Sequence, residues 1–181
     1  MSIKPKFWNA DKIVSFSAIL ISLATMAIYL YQTHLIQKQQ HASVMPYLMT
    51  TTSRYGDDHF CVELHNDGLG PAFIEEVNIY YLGKKYAKTD LATFFSESDP
   101  NRLKRKGWYS STSSVLEGQL YPSGHISKMI EISKDTLAAS QLRDYFWNTD
   151  KPIELEITYS SIYGEKWITR GNFKKPTKIE D

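Results

Sequence analysis

The chain has 181 residues, with 21 Lys and Arg against 20 Asp and Glu and a formal net charge of +1. Charges of both signs are interspersed, so no continuous basic field favours a polyanion, and nucleic acid is excluded as the main ligand. Cys61 is the single cysteine, which excludes an intrachain disulfide and any zinc site built on two or more thiolates.

Residues 1–12 form a lead with Lys4, Lys6 and Lys12 beside Phe7 and Trp8. Residues 13–31 then read IVSFSAILISLATMAIYLY, nineteen positions without a charge. As a helix at about 1.5 Å per residue they reach about 28 Å, close to the hydrocarbon thickness of a bilayer. This predicts a transmembrane helix, with Phe7 and Trp8 at one interface and Tyr29 and Tyr31 at the other. Three lysines before the span, against Lys38 alone just after it, predict a cytoplasmic N-terminus and a domain on the far side. A cleaved signal peptide needs the same basic lead and apolar stretch. Here the run is long for that role, and the small pair Thr25 and Ala27 falls inside it rather than after it. Ser15, Ala18, Ser22 and Thr25 follow at helical spacings, a small-residue stripe along which a second copy could approach.

No proline or glycine interrupts the chain between Lys12 and Met45. The helix is therefore predicted to continue over 32–43 as a stalk or linker until Pro46 ends it. A single β domain is predicted over 44–174, followed by a frayed tail at 175–181.

Within that domain Phe60, Val62 and Leu64 alternate with His59, Cys61, Glu63 and His65, the period of a half-buried strand. The turn formers NDGLGP at 66–71 follow, with Gly68 and Gly70 able to take positive φ, and a strand over 72–82 is predicted to pair back as a hairpin. Thr89 or Asp90 caps a short helix through Phe95 that buries Leu91, Phe94 and Phe95. Residues 97–107 read as an exposed loop, 108–115 as a weak strand and 125–132 as a further strand. Asp135 or Thr136 starts a helix to Trp147 with Leu137, Leu142, Tyr145 and Phe146 on its buried side. Ile153, Leu155, Ile157 and Tyr159 alternate with Glu154, Glu156 and Thr158, and the last strand runs over 166–173. Six or seven such strands with two short helical insertions predict a mainly β chain: a transmembrane helix followed by an antiparallel two-sheet β-sandwich.

The stretches PYL at 46–48, VELHNDGLGPAFIEEVNIYYLG at 62–83, LYPSGH at 120–125 and ITYSSIYGEKW at 157–167 carry a resemblance. They resemble a set of uncharacterised bacterial membrane proteins with one N-terminal spanning helix and an immunoglobulin-like β domain. The resemblance covers most of the chain, but its motifs are strands and turns. It implies an immunoglobulin-like sandwich and a bacterial inner-membrane address, and it transfers no catalytic residue.

The residues themselves offer a few chemical candidates. His59, Cys61, Glu63 and His65 share one strand face, where alternate residues lie about 6.5 Å apart, so two neighbours can converge on an ion but four cannot without another strand. Glu75 or Glu76 across the hairpin is the nearest candidate helper. Cys61 beside His59 or His65 would be a reactive thiol only if the backbone bulged. YSSTSSV at 109–115 lacks the context of a nucleophile elbow, and Glu154 with Glu156 reads as a solvated strand face rather than an acid–base pair. GLGPA lacks the lysine and helix of a phosphate loop. No catalytic, metal or cofactor residue is assigned.

Two basic clusters remain, Lys84, Lys85 and Lys88, and Arg102, Lys104, Arg105 and Lys106 followed by Trp108 and Tyr109. The second mixes cations with aromatics, which suits an anionic headgroup or a phosphate-bearing partner. The second cluster, with Gly68 and Gly70, forms the candidate interaction surface. The predicted role is a non-enzymatic, membrane-anchored protein whose β domain contacts another protein or the envelope. Its expected partners are the bilayer, through 13–31, and a protein, a second copy of this chain among them. The alternatives are a metal-dependent or thiol enzyme on the His59 strand, and a membrane effector or accessory subunit of a bacterial conflict system.

Overall fold

The computed structural model describes residues 10–98, 109–147 and 150–179, and the chain divides into two units, Met1–Ala42 and Ser43–Asp181. Among the described residues the first unit is helical, within α1 (Ala10–Ser43), and none of the residues of α1 is buried. It is long and apolar enough to cross a membrane. The hydroxyls of Ser15, Ser22, Thr25 and Thr33 donate to the carbonyls of Asp11, Ala18, Ile21 and Tyr29, four residues back, at 2.8–2.9 Å. Polar groups satisfied inside the helix suit a medium without water.

The second unit begins with β1 (Leu48–Ser53), β2 (Phe60–Asn66), β3 (Ala72–Tyr81) and β4 (Lys84–Ala87). A single helical turn, α2 (Leu91–Thr93), widens into a π-helical turn at Phe94–Ser98. Then come β5 (Ser111–Thr112), β6 (Leu120–Tyr121), β7 (Ile126–Ile132), α3 (Thr136–Phe146), β8 (Glu154–Ser160), β9 (Lys166–Arg170) and β10 (Thr177–Ile179). The strands form two antiparallel sheets, one ordered β1-β2-β7-β5 and the other β10-β9-β8-β3-β4, with β6 on β3. Their inward residues share one apolar core: Leu48, Phe60, Val62, Leu64, Ile130 and Ile132 from the first sheet meet Ile74, Val77, Ile79, Leu155, Ile157 and Tyr159 from the second.

The two helical insertions cap this core. Asp90 Oδ1 accepts from the Thr93 amide at 2.8 Å and Asp135 Oδ1 from the Ala138 amide at 3.0 Å, which satisfies amides that the first turn leaves free. Leu91, Phe94 and Phe95 are buried, as are Leu142, Tyr145 and Phe146. Leu137, expected on the buried side of α3, is 53% exposed, and Ala138 and Ala139 take the inward places.

Several expectations differ from what forms. The strands β2 and β3 are not a hairpin, because they belong to different sheets, and β3 pairs with β8, β4 and β6. Residues 66–71 therefore carry the chain from one sheet to the other. The expected strand at 108–115 is ordered as strand only at Ser111–Thr112; position 108 lies outside the described residues. The tail is not wholly frayed, since β10 pairs with β9 through Thr177–Ile168, Lys178–Trp167 and Ile179–Lys166.

Candidate functional site

The strand face that carries His59, Cys61, Glu63 and His65 is the outer face of the first sheet. The β1 pairs Met49–His65, Thr51–Glu63 and Ser53–Cys61 and the β7 pairs Cys61–Glu131 and Glu63–Lys128 place their side chains on that same face. A shift in register between Val62 and Glu63 marks a bulge in this pairing. His65 Nε2 lies 3.2 Å from Glu63 Oε2 and 3.2 Å from Thr51 Oγ1. His59 Nε2 lies 3.1 Å from Glu131 Oε1, which also accepts from Lys128 Nζ at 2.8 Å. The four residues are thus drawn into two separate polar groups, each with its own carboxylate, and among the described residues no three metal-capable side chains converge on one point. Glu75 and Glu76 belong to the other sheet, where they face Lys166 and Lys85.

Cys61, on this outer face, is nevertheless only 1% exposed. Its thiol donates to Glu63 Oε1 at 3.7 Å. Burial, and then the charges of Glu63 and Glu131, push the thiol up to about 12. A thiol so protonated is neither a nucleophile nor a ready metal ligand at neutral pH. Glu131 moves the other way: the hydrogen bonds from Lys128 and then His59 hold its carboxyl below the usual carboxylate range.

On the outer face of the second sheet the paired glutamates are not simply solvated. Glu156, 8% exposed, accepts from Asn78 Nδ2 at 3.3 Å and from the Tyr80 hydroxyl at 3.2 Å, and Arg170 stands 3.7 Å away. Glu154 takes Arg170 Nε at 2.8 Å and Lys174 Nζ at 3.3 Å. The Arg170 guanidinium sits 4.0 Å from the centre of the Tyr80 ring. Each carboxylate is matched by a donor on a neighbouring strand or on the segment after β9, an arrangement that braces β3, β8 and β9 and leaves no acid–base pair free.

The turn at 66–71 has an internal task. Asn66, fully buried, accepts from the Tyr47 and Gly68 amides at 3.1 Å through Oδ1 and donates through Nδ2 to the carbonyls of Gly70, Tyr121 and Pro122 at 2.9–3.1 Å. The amides of Leu69 and Gly70 donate to Met45 O at 3.0 and 3.3 Å. A Cβ at Gly68 would stand 2.3 Å from Tyr47 N, and one at Gly70 1.8 Å from Val44 O. The glycines are there because backbone lies against backbone, while Leu69, 73% exposed, and the exposed Asp67 project outward from the turn.

The serine run also serves structure: Ser110 Oγ accepts from the Ser133 amide at 2.8 Å. Of the basic aromatic segment, Tyr109 is 37% exposed, while Arg102, Lys104, Arg105, Lys106 and Trp108 lie outside the described residues. Lys84 and Lys85 stand on the edge strand β4 over Tyr86 and Tyr80, 4.8 and 5.8 Å from the ring centres. Sequence reasoning missed the roles of Glu131 and Asn66, because each depends in part on partners more than 50 residues away, His59 for Glu131 and Tyr121 for Asn66. Compared with protein-family models, curated proteins and solved structures, the chain matches none.

Proposed function

We propose that this chain is a single-pass protein of a bacterial inner membrane, with an immunoglobulin-like β-sandwich held in the periplasm to contact another protein, without catalysis. One observation carries the reading: a helix of 34 residues, with a charge-free run of bilayer length, buries none of its side chains, whereas the second unit has a core of its own. Apolar side chains in that number need a cover, and lipid is the cover their length fits. The outward polar side chains of both sheets are hydrogen-bonded to one another, and that supports binding through loops and edges rather than chemistry on a sheet face.

A C-terminal fusion to a phosphatase that is active only outside the cytoplasm tests the orientation. Activity of the fusion, together with shielding of a C-terminal green fluorescent protein from folding, supports the periplasmic placement; the reverse pair of results refutes it. Cross-linking in intact cells followed by detergent extraction tests the interaction, and a chain recovered only as uncross-linked monomer would count against it.

A further inference from the structure

A cavity of about 230 Å³ opens in the β domain beside the second sheet, lined by Val77, Lys88, Asp90, Val115, Leu116 and Glu117. Three stretches build it. Val77 comes from β3, Lys88 and Asp90 from the turn after β4, and the rest from the segment before β6. That last segment is held on β3 by Ile74 N to Gln119 O at 2.9 Å and Gly118 N to Ile74 O at 2.8 Å. The turn is fixed as well: Lys88, at φ 52°, donates its amide to Asn78 Oδ1 at 3.3 Å, and the Thr89 amide donates to Val77 O at 3.2 Å.

The polar content of the cavity is uneven. At its solvent side the exposed side chains of Lys88 and Glu117 pair at 3.3 Å. Asp90, by contrast, is 5% exposed. Its Oδ1 serves the Thr93 amide, while Oδ2 is buried and meets no donor among the described residues. A carboxylate oxygen with no donor and almost no accessible surface is unfavourable by itself, and a small turn of the Asp90 side chain toward the cavity would let a donor from outside the chain reach it. Val77, Val115 and Leu116 make the walls aliphatic.

We propose that this cavity binds a primary ammonium carried on a short alkyl chain, the head on Asp90 and the methylenes along Val77, Val115 and Leu116. Glu117 at the mouth adds a second negative group and neutralises Lys88. A divalent calcium-like ion wants six or more oxygen ligands, and this lining supplies two carboxylates among hydrocarbon. A guanidinium wants both oxygens of a carboxylate, and Asp90 has one committed. The ammonium can be a lysine side chain of a partner or a free alkylamine. The inference goes beyond the membrane reading and does not rest on it.

The test is a calorimetric titration of the full chain in detergent micelles with n-butylammonium, against butan-1-ol as the neutral isostere. Asp90→Asn keeps the Oδ1 acceptor that caps α2 and removes the charge. The expected result is saturable binding of the ammonium, none of the alcohol, and at least about tenfold weaker binding in Asp90→Asn. Leu116→Trp, at a position 52% exposed, narrows the cavity without touching the core and should abolish binding, which keeps the test decisive should the first variant unfold. Absence of saturable binding to the wild-type chain, with water only in the cavity, overturns the proposal, and so does equal affinity in either folded variant. Nα-acetyl-lysine methylamide, if it binds more tightly than butylammonium, identifies a lysine side chain as the source; weaker binding identifies a free amine.

Discussion

The Leu48 amide donates a 3.2 Å hydrogen bond to the phenol oxygen of Tyr159, and both residues are fully buried. Leu48 opens β1 of the first sheet and Tyr159 lies in β8 of the second, so a side chain ties the two sheets through the core. The seam along β1 is reinforced by Phe173 N to Thr50 O and by Trp147 Nε1 to Thr52 Oγ1, both 2.9 Å. Tyr159→Phe keeps the ring but leaves the Leu48 amide buried without an acceptor, an expected loss of about 1–3 kcal/mol. Tyr159→Ala adds a cavity and should cost about 3–5 kcal/mol. Urea unfolding followed by tryptophan fluorescence measures both.

Gly70→Ala should be among the most damaging small substitutions in the chain. Its Cβ would collide with the Val44 carbonyl, which belongs to backbone and cannot rotate away. A loss above about 3 kcal/mol is expected. Gly83→Ala is the control: φ is +79° there and nothing lies within 4 Å of the added carbon, so only conformational strain of about 1 kcal/mol applies. Equal costs at the two sites would show that the turn does not lie against residues 44–47.

Cys61 should resist alkylation. Iodoacetamide at pH 8 is expected to label the folded chain far more slowly than the urea-unfolded one, as read by intact mass. Linkage gives the alkaline side of the same fact. Burial raises Cys61 from an ordinary 9.0 to about 12 and Tyr159 from 10.0 to about 12. Both groups then hold their protons more tightly in the folded state, so their contribution is intact below pH 9 and is lost as pH climbs toward 12. Cys61→Ala should flatten the lower part of that decline.

On the acid side the sign reverses. The hydrogen bond from Lys166 holds Glu75 below its ordinary 4.5, as those from Lys128 and His59 do for Glu131. Burial opposes the shift at Glu154, but the bonds from Arg170 and Lys174 prevail. The stability these groups give is present above about pH 4.5 and falls away as pH drops through their lowered values. Glu131→Gln should reduce the slope of unfolding midpoint against pH between 5 and 3, and should also loosen the Cys61 thiol toward labelling.

The period-two patterns around Val62 and Leu155 were readable because each strand has one face on the core, and alternation records that directly. The helix starts were readable to within one residue, at Thr89 or Asp90 and at Asp135 or Thr136, since capping is local in sequence, and the structure takes the aspartate each time. Pairing was not. NDGLGP reads as a hairpin turn by composition, yet the Asn66 side chain and the close approach of Gly68 and Gly70 to residues 44–47 turn the same residues into a passage between sheets. The neighbours of Cys61 were not readable for a similar reason: Glu131 on β7 and Ser53 on β1 pair with it, and which strands flank β2 is a long-range choice. The same holds for Glu156, whose partners Asn78 and Arg170 arrive from β3 and β9.

Fractionation of cells expressing the full chain, with an alkaline carbonate wash of the membranes and an intact mass of the recovered protein, tests the central claim most directly. The account predicts a product that stays in the washed pellet, dissolves only with detergent and retains residues 13–31. A product released into the aqueous phase, or one whose mass shows that the apolar segment has been cut away, would contradict it.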